Sequence, residues 1–201
     1  GGSTFTAGST NFLAGGTCSA PAYLTCPPST TYTTPLTDPF AGFAPPAKPA
    51  TNRSDSCSSY GAQTALPGYY ANAFSPGGGA TCTLATGIYY LNNGLNTNNG
   101  GITITSAPGG VLIYVNGGSI NITGGSTFRI APLTSPPTYS GISLWQTAAD
   151  TSPIAFSGDA TIVLDGALYG PKAQLVIAGG SHAPFIAVLV VRSIDLNNSG
   201  H

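Results

Sequence analysis

Between Gly87 and Leu196 the sequence repeats one short pattern: a run of Ile, Leu, Val, Tyr or Thr, followed by a turn of Gly, Asn or Ser. Each run is too short for a helix and is rich in β-branched or aromatic residues, which favours strands separated by tight turns. The 28 Gly and 17 Pro of the chain disfavour long helices in the same way. The sequence therefore predicts an all-β chain of many short strands.

The strands recur with a period. A coil takes about 21 to 31 residues, within the range of repeat folds. Three strands per coil predict a right-handed parallel β-helix, a β-solenoid in which each strand pairs with its equivalent in the next coil and aliphatic side chains stack inside. The predicted strand centres form three series: Tyr89, Ile113, Leu144, Leu168 and Leu189; Leu95, Ile120, Phe156, Val176 and Ile194; and Ile104, Phe128 and Ile162.

The first part of the chain differs in composition. Residues 17–86 hold all the cysteines and most of the prolines, in segments such as CPPSTTYTTPLTDPF. We interpret this stretch as an irregular cap or insertion, because an open solenoid end exposes unpaired backbone and apolar interior. The predicted organisation is a starting coil over 1–16, the cap over 17–86 and the parallel β-helix over 87–201, all in one structural domain.

The cysteines predict disulfides. An even count and the lack of any zinc-type spacing favour disulfides over a metal site, and three connectivities are possible. Cys18 with Cys26 and Cys57 with Cys82 would close the shortest loops, so we favour that pairing.

Charge limits the partners of the chain. Charged residues make up only 5% and the net charge is −1, which excludes a basic nucleic-acid footprint and an electrostatic hold on acidic membranes. A surface of Ser, Thr, Asn and Gly is usual for secreted and cell-surface proteins. No apolar run approaches the length of a membrane span, and no signal peptide is visible at the start. We expect any targeting or anchoring part to lie upstream.

Several phrases together resemble a known family. TDPFAGFAPPA, LATGIYYLNNGLN, APGGVLIYVNGGSINITGGSTFRIAP, YSGISLWQ and LDGALYGPKAQLVIAGG occur in that order. They resemble the β-helical region of TadG-like, Flp (Tad) pilus-assembly-associated surface proteins of bacteria, over roughly residues 35–201. The resemblance implies export, display on the cell envelope and a role in assembly or adhesion. The matching residues are Asp38, Pro39, Gly87, Tyr89, 141–146 and 166–175.

Catalysis by a β-helix would need clustered carboxylates. Polysaccharide lyases and hydrolases of this fold use several acidic groups for calcium or for acid and base work. Here the six Asp are scattered, and the best candidate cluster is Asp159, Asp165, His182 and Arg192. Both carboxylates are expected to cap turns instead. We therefore expect no enzyme, no cofactor and no metal.

Two kinds of binding surface are conceivable from the sequence. Aromatic residues could form an exposed stripe on which sugar rings stack, and the loops at 132–140 and 179–185 could border it. A flat threonine face could bind ice, but only ITIT at 102–105 and INIT at 120–123 suggest one. The aromatic residues of the stripe are Tyr69, Tyr70, Tyr89, Tyr90, Tyr114, Tyr139, Trp145 and Tyr169, and the candidate ligand-contact residues are Tyr139, Trp145, Tyr169 and His182.

The expected function is a non-catalytic, extracellular structural or adhesive module of a bacterial cell-surface or pilus-type appendage. Its expected partners are further copies of itself in a filament, other surface or pilus proteins, and glycans. The alternatives are a polysaccharide-binding or polysaccharide-cleaving β-helix and, less favoured, an ice-binding protein.

Overall fold

The structure, a computed structural model, describes residues 10–13, 29–32, 37–98, 100–180 and 188–197. The chain divides into two compact units, one spanning residues 4–43 and the other containing residues 44–201. In the first unit, strands β1 (Thr10–Leu13) and β2 (Ser29–Tyr32) form a parallel pair. The remainder of the predicted starting coil 1–16, together with Cys18 and Cys26, lies outside the described residues.

The second unit is a parallel β-solenoid of about six turns, as the sequence predicts. Every strand pairing in it is parallel, and the only helix among its described residues is a short 3-10 turn at Pro137–Tyr139. Its strands are β3 (Asn52–Arg53), β4 (Gly61–Ala65), β5 (Gly68–Tyr70), β6 (Ala80–Leu84), β7 (Gly87–Leu91), β8 (Leu95–Asn96), β9 (Thr103–Ser106), β10 (Val111–Val115), β11 (Ile120–Ile122), β12 (Thr127–Ile130), β13 (Ile142–Gln146), β14 (Ile154–Phe156), β15 (Thr161–Leu164), β16 (Ala167–Ala178) and β17 (Leu189–Asn197).

These strands form two sheets. The larger has ten strands, in the order β3-β5-β7-β10-β13-β16-β14-β11-β8, with β17 also paired to β16. The long strand β16 joins two walls of the solenoid, because its first half pairs with β13 and its second half with β14. The smaller sheet has five strands, in the order β15-β12-β9-β6-β4, and forms a third wall.

The predicted strand alignment is confirmed for two of the three series. In the first series each predicted centre pairs with the next, from Tyr89 to Leu189. In the third, Phe128 pairs with both Ile104 and Ile162. The second series selects the correct strands but the wrong register, since Ile120 pairs with Ile154 and not with Phe156. Ile154 and Phe156 both face inward at alternate positions of one strand, so hydrophobicity alone did not distinguish them.

The interior of the solenoid is a solid apolar column. Inner rows such as Cys82, Ile104, Phe128 and Ile162 are at most 1% exposed. A cavity in the interior, lined by aliphatic and aromatic residues, measures only about 10 Å³, roughly the space of one water molecule. The column is therefore a packed core, and ligands must be sought on its outer faces or its ends.

The coils begin earlier than the sequence predicts. Strands β3 to β6 lie within the stretch 17–86 that was interpreted as a cap, yet they pair in parallel with the later coils. The boundary expected at residue 87 thus falls inside the solenoid. The strands here are short and polar, for example GAQTA and ATCTL, so their hydrophobic signal is weak although every second residue faces inward.

The early coils carry the predicted disulfide between Cys57 and Cys82, with a Cα–Cα distance of 5.7 Å. Cys82 belongs to an inner row, in register with Ile104, and both sulfur-bearing residues are fully buried. Nearby, Arg53 pairs in register with the inward-facing Tyr70 and donates a hydrogen bond from Nε to the Pro67 carbonyl oxygen at 3.0 Å. The disulfide and Arg53 thus lie at the N-terminal end of the column.

Glycine is required at the corners where coils touch. Gly110 has φ +72°, and a side chain there would collide with the backbone of Pro132 in the next coil. Gly94, with φ +83°, meets the backbone of Ser119 in the same way. Only a residue without a Cβ combines a left-handed backbone with this close approach. The repeated Gly of the sequence therefore marks the corners.

Candidate functional site: the outer faces of the solenoid

The outer side of the ten-stranded sheet carries a continuous row of aromatic side chains. Their inward neighbours along the strands belong to the core, so alternation directs these rings outward. Neighbouring ring centroids are 4.9 to 5.8 Å apart, and most pairs meet edge to face or tilted. This aromatic row consists of Tyr69, Tyr90, Tyr114, Trp145 and Tyr169, which pair in register.

The aromatic row is mostly covered. Tyr114, Trp145 and Tyr169 are only 2%, 3% and 5% exposed, whereas Tyr69 and Tyr90 are half-buried. Tyr139, from the Pro-rich loop at 132–140, packs edge-on against Trp145 with ring centroids 6.2 Å apart. The row therefore stabilises the fold along most of its length and leaves only its first two rings open to contact.

At the open end of the aromatic row, Lys48 lies over Tyr69. Its Nζ is 3.7 Å from the centre of the ring, which is a cation–π contact. Tyr90 is the next ring of the row, and burial, together with the neighbouring Tyr114 and Tyr69, raises its pKa. Lys48 therefore lies against the Tyr69 ring, while Tyr90 contacts the rings of Tyr69 and Tyr114.

The other members of the predicted aromatic stripe face inward. Tyr70 and Tyr89 are 3% and 1% exposed and stack with centroids 6.1 Å apart. The Tyr89 hydroxyl lies 2.8 Å from the Ala65 carbonyl oxygen and 2.9 Å from that of Ala85, and the Tyr70 hydroxyl donates to Leu66 at 2.7 Å. Burial raises the pKa of Tyr70 to about 12 and raises that of Tyr89 further. These two tyrosines are core residues.

The candidate ligand-contact residues do not share one environment. Trp145 and Tyr169 are buried neighbours in the aromatic row, and Tyr139 is a part-exposed residue beside Trp145. His182 lies outside the described residues. The structure thus brings three of the four predicted residues together, as a packed cluster rather than an open platform.

The candidate carboxylates are exposed and stand at opposite ends of β15. Asp159 lies in a turn with φ +61°, and Asp165 follows the last residue of the strand. Among the described residues, the carboxylates that accept backbone N–H bonds within turns are instead Asp38, Asp55 and Asp150, at 2.8 to 3.0 Å. Turn capping by Asp is therefore present, but at other positions than the two predicted.

The five-stranded sheet has a different outer face. Outward positions of its strands are occupied by threonine in coil after coil, and two columns run across the sheet. In one column Thr81, Thr103, Thr127 and Thr161 pair in register. In the other, Thr64, Thr83 and Thr105 pair in register and are followed by Arg129 and Val163. We call these seven threonines the threonine face.

The threonine face is open. Thr64 and Thr81 are exposed, and the other members are part-exposed. Their hydroxyl groups make no hydrogen bond to any other part of the chain that the structure describes. Because each hydroxyl can donate once and accept twice, the face presents a grid of unused hydrogen-bonding groups.

Sequence reasoning missed this face for an identifiable reason. ITIT at 102–105 belongs to it, but INIT at 120–123 lies on another wall, where Ile120 and Ile122 point inward. The TCT segment at 81–83, which pairs with ITIT, lies in the stretch interpreted as a cap. Thr127 and Thr161 are not followed two residues later by another threonine, so neither forms a Thr-x-Thr pattern. Aligning each threonine with the inner row Cys82, Ile104, Phe128 and Ile162 would have revealed the column.

Asparagine side chains also form hydrogen bonds between neighbouring coils at the corners. Asn116 Nδ2 donates to Asn92 Oδ1 at 3.3 Å. Asn93 Nδ2 likewise donates to the Ala71 carbonyl oxygen at 2.8 Å. Such bonds fix the corners that flank the outer faces.

Within the described ranges, no group of three or more His, Cys, Asp or Glu residues is placed to hold a metal ion. The same part of the chain has no helix long and apolar enough to cross a membrane. Comparison of the sequence and structure with protein-family models, with curated proteins and with solved structures finds no match. The outer faces and the ends of the solenoid are therefore its candidate functional sites.

Proposed function

We propose that this chain is a non-catalytic module displayed outside a bacterial cell, on a surface appendage, and that it associates end to end through the last coil of its solenoid. The observation that carries the proposal is the exposed edge of β17, the last strand among the described residues. This strand pairs with β16 on one side and with no other described strand on the other.

The coil of β17 exposes a residue whose counterparts in earlier coils are interior. Ile194 continues the inner row of Ile120, Ile154 and Leu175, all fully buried, yet it is 39% exposed. Val188, just before β17, is 48% exposed. This end of the column therefore presents Ile194, from an inner row, and the neighbouring Val188 beside a strand edge that no other described strand covers.

An open parallel edge of this kind favours strand addition. Its free N–H and C=O groups can pair with another strand, and the exposed inner row supplies apolar area to bury. In a solenoid each coil is stabilised by its neighbours, so a second copy or another surface protein that continues the stack would gain the same contacts. The near-neutral surface, with five basic and six acidic residues, opposes such contact only weakly.

Location outside the cell is supported by the disulfide. The Cys57–Cys82 bond is buried between two early coils, and structural disulfides of this type belong to oxidising compartments. The surface rich in Ser, Thr, Asn and Gly is consistent with that setting, as is the resemblance to envelope proteins described above.

Sedimentation velocity over a concentration series, with electron microscopy of the most concentrated samples, tests the proposal. Wild-type protein is expected to form larger species as concentration rises. Val188→Lys combined with Ile194→Lys should shift it to monomer, because two charges then stand at the open end. Ala155→Lys, on the outer side of an interior coil, is the matched control and should associate like wild type. Wild-type protein that stays monomeric at every concentration, or equal loss in the control, contradicts the proposal.

A further inference from the structure

The threonine face lies on a regular sheet. The pairings from β4 to β15 contain no register shift, whereas those of β16 with β13 and with β17 do. In such a sheet, equivalent positions of neighbouring strands lie about 4.8 Å apart, and alternate positions of one strand lie about 6.6 Å apart. The hydroxyl groups therefore stand on a two-dimensional grid.

The side chains of this grid are stiff. Threonine is β-branched and has restricted χ1 freedom in a strand, and the strand backbones are held on both sides by neighbouring coils. Beneath the face, Ile104, Phe128 and Ile162 are at most 1% exposed and fill the core. Ordering the face on binding therefore costs little conformational entropy.

The chemistry of the face indicates its ligand. Each threonine offers a methyl group and a hydroxyl, and Arg129 is the one charged residue in the two columns. A neutral grid gives no hold on an ionic ligand. Its paired donors and acceptors instead match a solid whose surface is a periodic array of hydroxyl-like oxygens that both donate and accept.

We propose that the threonine face binds ice. The water oxygens of an ice surface form a neutral, two-dimensional lattice in which each oxygen both donates and accepts hydrogen bonds, and the threonine grid shares these properties. Both columns carry threonine in two consecutive coils, at Thr81 with Thr83 and at Thr103 with Thr105. On one side only the second column continues, at Thr64, and on the other only the first continues, at Thr127 and Thr161. Arg129 interrupts the second column and limits the size of the matching area.

The test combines a loss and a gain of function on purified, folded protein. Thermal hysteresis and inhibition of ice recrystallisation are measured for wild type, Thr103→Tyr, Arg129→Thr and the control Asn121→Tyr, which changes an outward residue on another wall. We expect activity in wild type and in the control, loss to the level of buffer in Thr103→Tyr, and hysteresis above wild type in Arg129→Thr.

The gain-of-function variant keeps the test decisive, because a folding defect cannot raise activity. Wild-type protein without activity overturns the proposal, as does Arg129→Thr with activity at or below wild type. An equal loss of activity in Thr103→Tyr and Asn121→Tyr would mean that both changes act through the fold, and this result also overturns the proposal. If Thr103→Tyr instead abolishes a dimer or binding to insoluble cellulose or chitin while no ice activity exists, the occupant is a second copy or a polysaccharide, and the proposal fails. The end-to-end assembly through Val188 and Ile194 is unaffected by any of these results.

Discussion

The aromatic row and the threonine face are built by the same rule and have opposite environments. Both consist of outward residues of parallel strands, stacked in register from coil to coil. Trp145, in the middle of the aromatic row, is 3% exposed and touches three other rings. Thr103, in the middle of the threonine face, is part-exposed and its hydroxyl has no partner among the described residues.

An outer face of a solenoid can either stabilise the fold or remain open for binding. Large apolar side chains on the outside of a solenoid must be covered, since burial of each contributes roughly 1.5–3 kcal/mol or more. Short polar side chains have no such need and can remain open. One wall of this protein therefore adds to its stability, whereas the other is available for recognition.

The largest expected effect is on the aromatic row. Trp145→Ala should lower the free energy of unfolding by about 3–5 kcal/mol, because it removes a buried ring and leaves a cavity among its neighbours. Urea denaturation followed by circular dichroism measures the loss. Tyr60→Ala is the control, since Tyr60 is 86% exposed and should change stability by no more than about 0.5 kcal/mol. Equal effects of the two variants would mean that the row is not buried.

The second-largest loss of stability is expected from removing the disulfide beneath the threonine face. Replacing both cysteines, Cys57→Ala with Cys82→Ala, opens a loop of sequence separation 25 and should cost about 2–4 kcal/mol. The double variant avoids leaving an unpaired thiol in the core. Denaturation of the oxidised wild type and the variant gives the difference, and an unchanged midpoint would show that the early coils do not need the bond.

Alkaline pH should lower the stability of the protein through the inward-facing Tyr70. Burial raises the pKa of Tyr70 from 10.0 to about 12. The stability that the buried, neutral Tyr70 contributes is therefore fully present below pH 10, the pKa of tyrosine in the unfolded chain, and is lost as the pH rises toward 12. Stability should therefore fall across this interval. In Tyr70→Phe the fall should be smaller, because one ionising group is gone. An identical pH dependence in the variant would contradict the placement of Tyr70.

The smallest effect is expected on the threonine face. Thr103→Ala should change the free energy of unfolding by no more than about 1 kcal/mol, the full range of strand propensities. Thermal and urea unfolding of this variant are compared with those of Trp145→Ala. A loss as large as that of the tryptophan variant would show that the threonine column is a packing element and not an open face.

The fold could be predicted from the sequence because the core residues of a solenoid occur in short hydrophobic runs. The row Tyr89, Ile113, Leu144, Leu168 and Leu189 could be aligned residue by residue, since each strand is bounded by Gly or Asn turns. The coils from Asn52 to Leu84 were missed because their inner positions include small or polar-seeming residues such as Ala65, Ala80 and Cys82.

The outer faces were harder to predict. Tyr69 with Tyr70 and Tyr89 with Tyr90 could not be divided into inward and outward members before the register was known. Burial of Trp145 depends on contacts from outside its own strand, including Tyr139, which no strand pattern reports. The threonine column needed the alignment of strands from coils of unequal length, because the loop at 132–140 separates Thr127 from Thr161. Residues far apart in the sequence thus define the candidate site.

The central claim is that Thr127 lies in register between Thr103 and Thr161 on one parallel sheet. Nuclear Overhauser measurements on isotope-labelled protein test it most directly. The account predicts cross-strand contacts from the backbone protons of Thr127 to those of both Thr103 and Thr161, in the pattern of parallel strands. Contacts from Thr127 to antiparallel neighbours, or to neither threonine, would contradict the solenoid and the threonine face together.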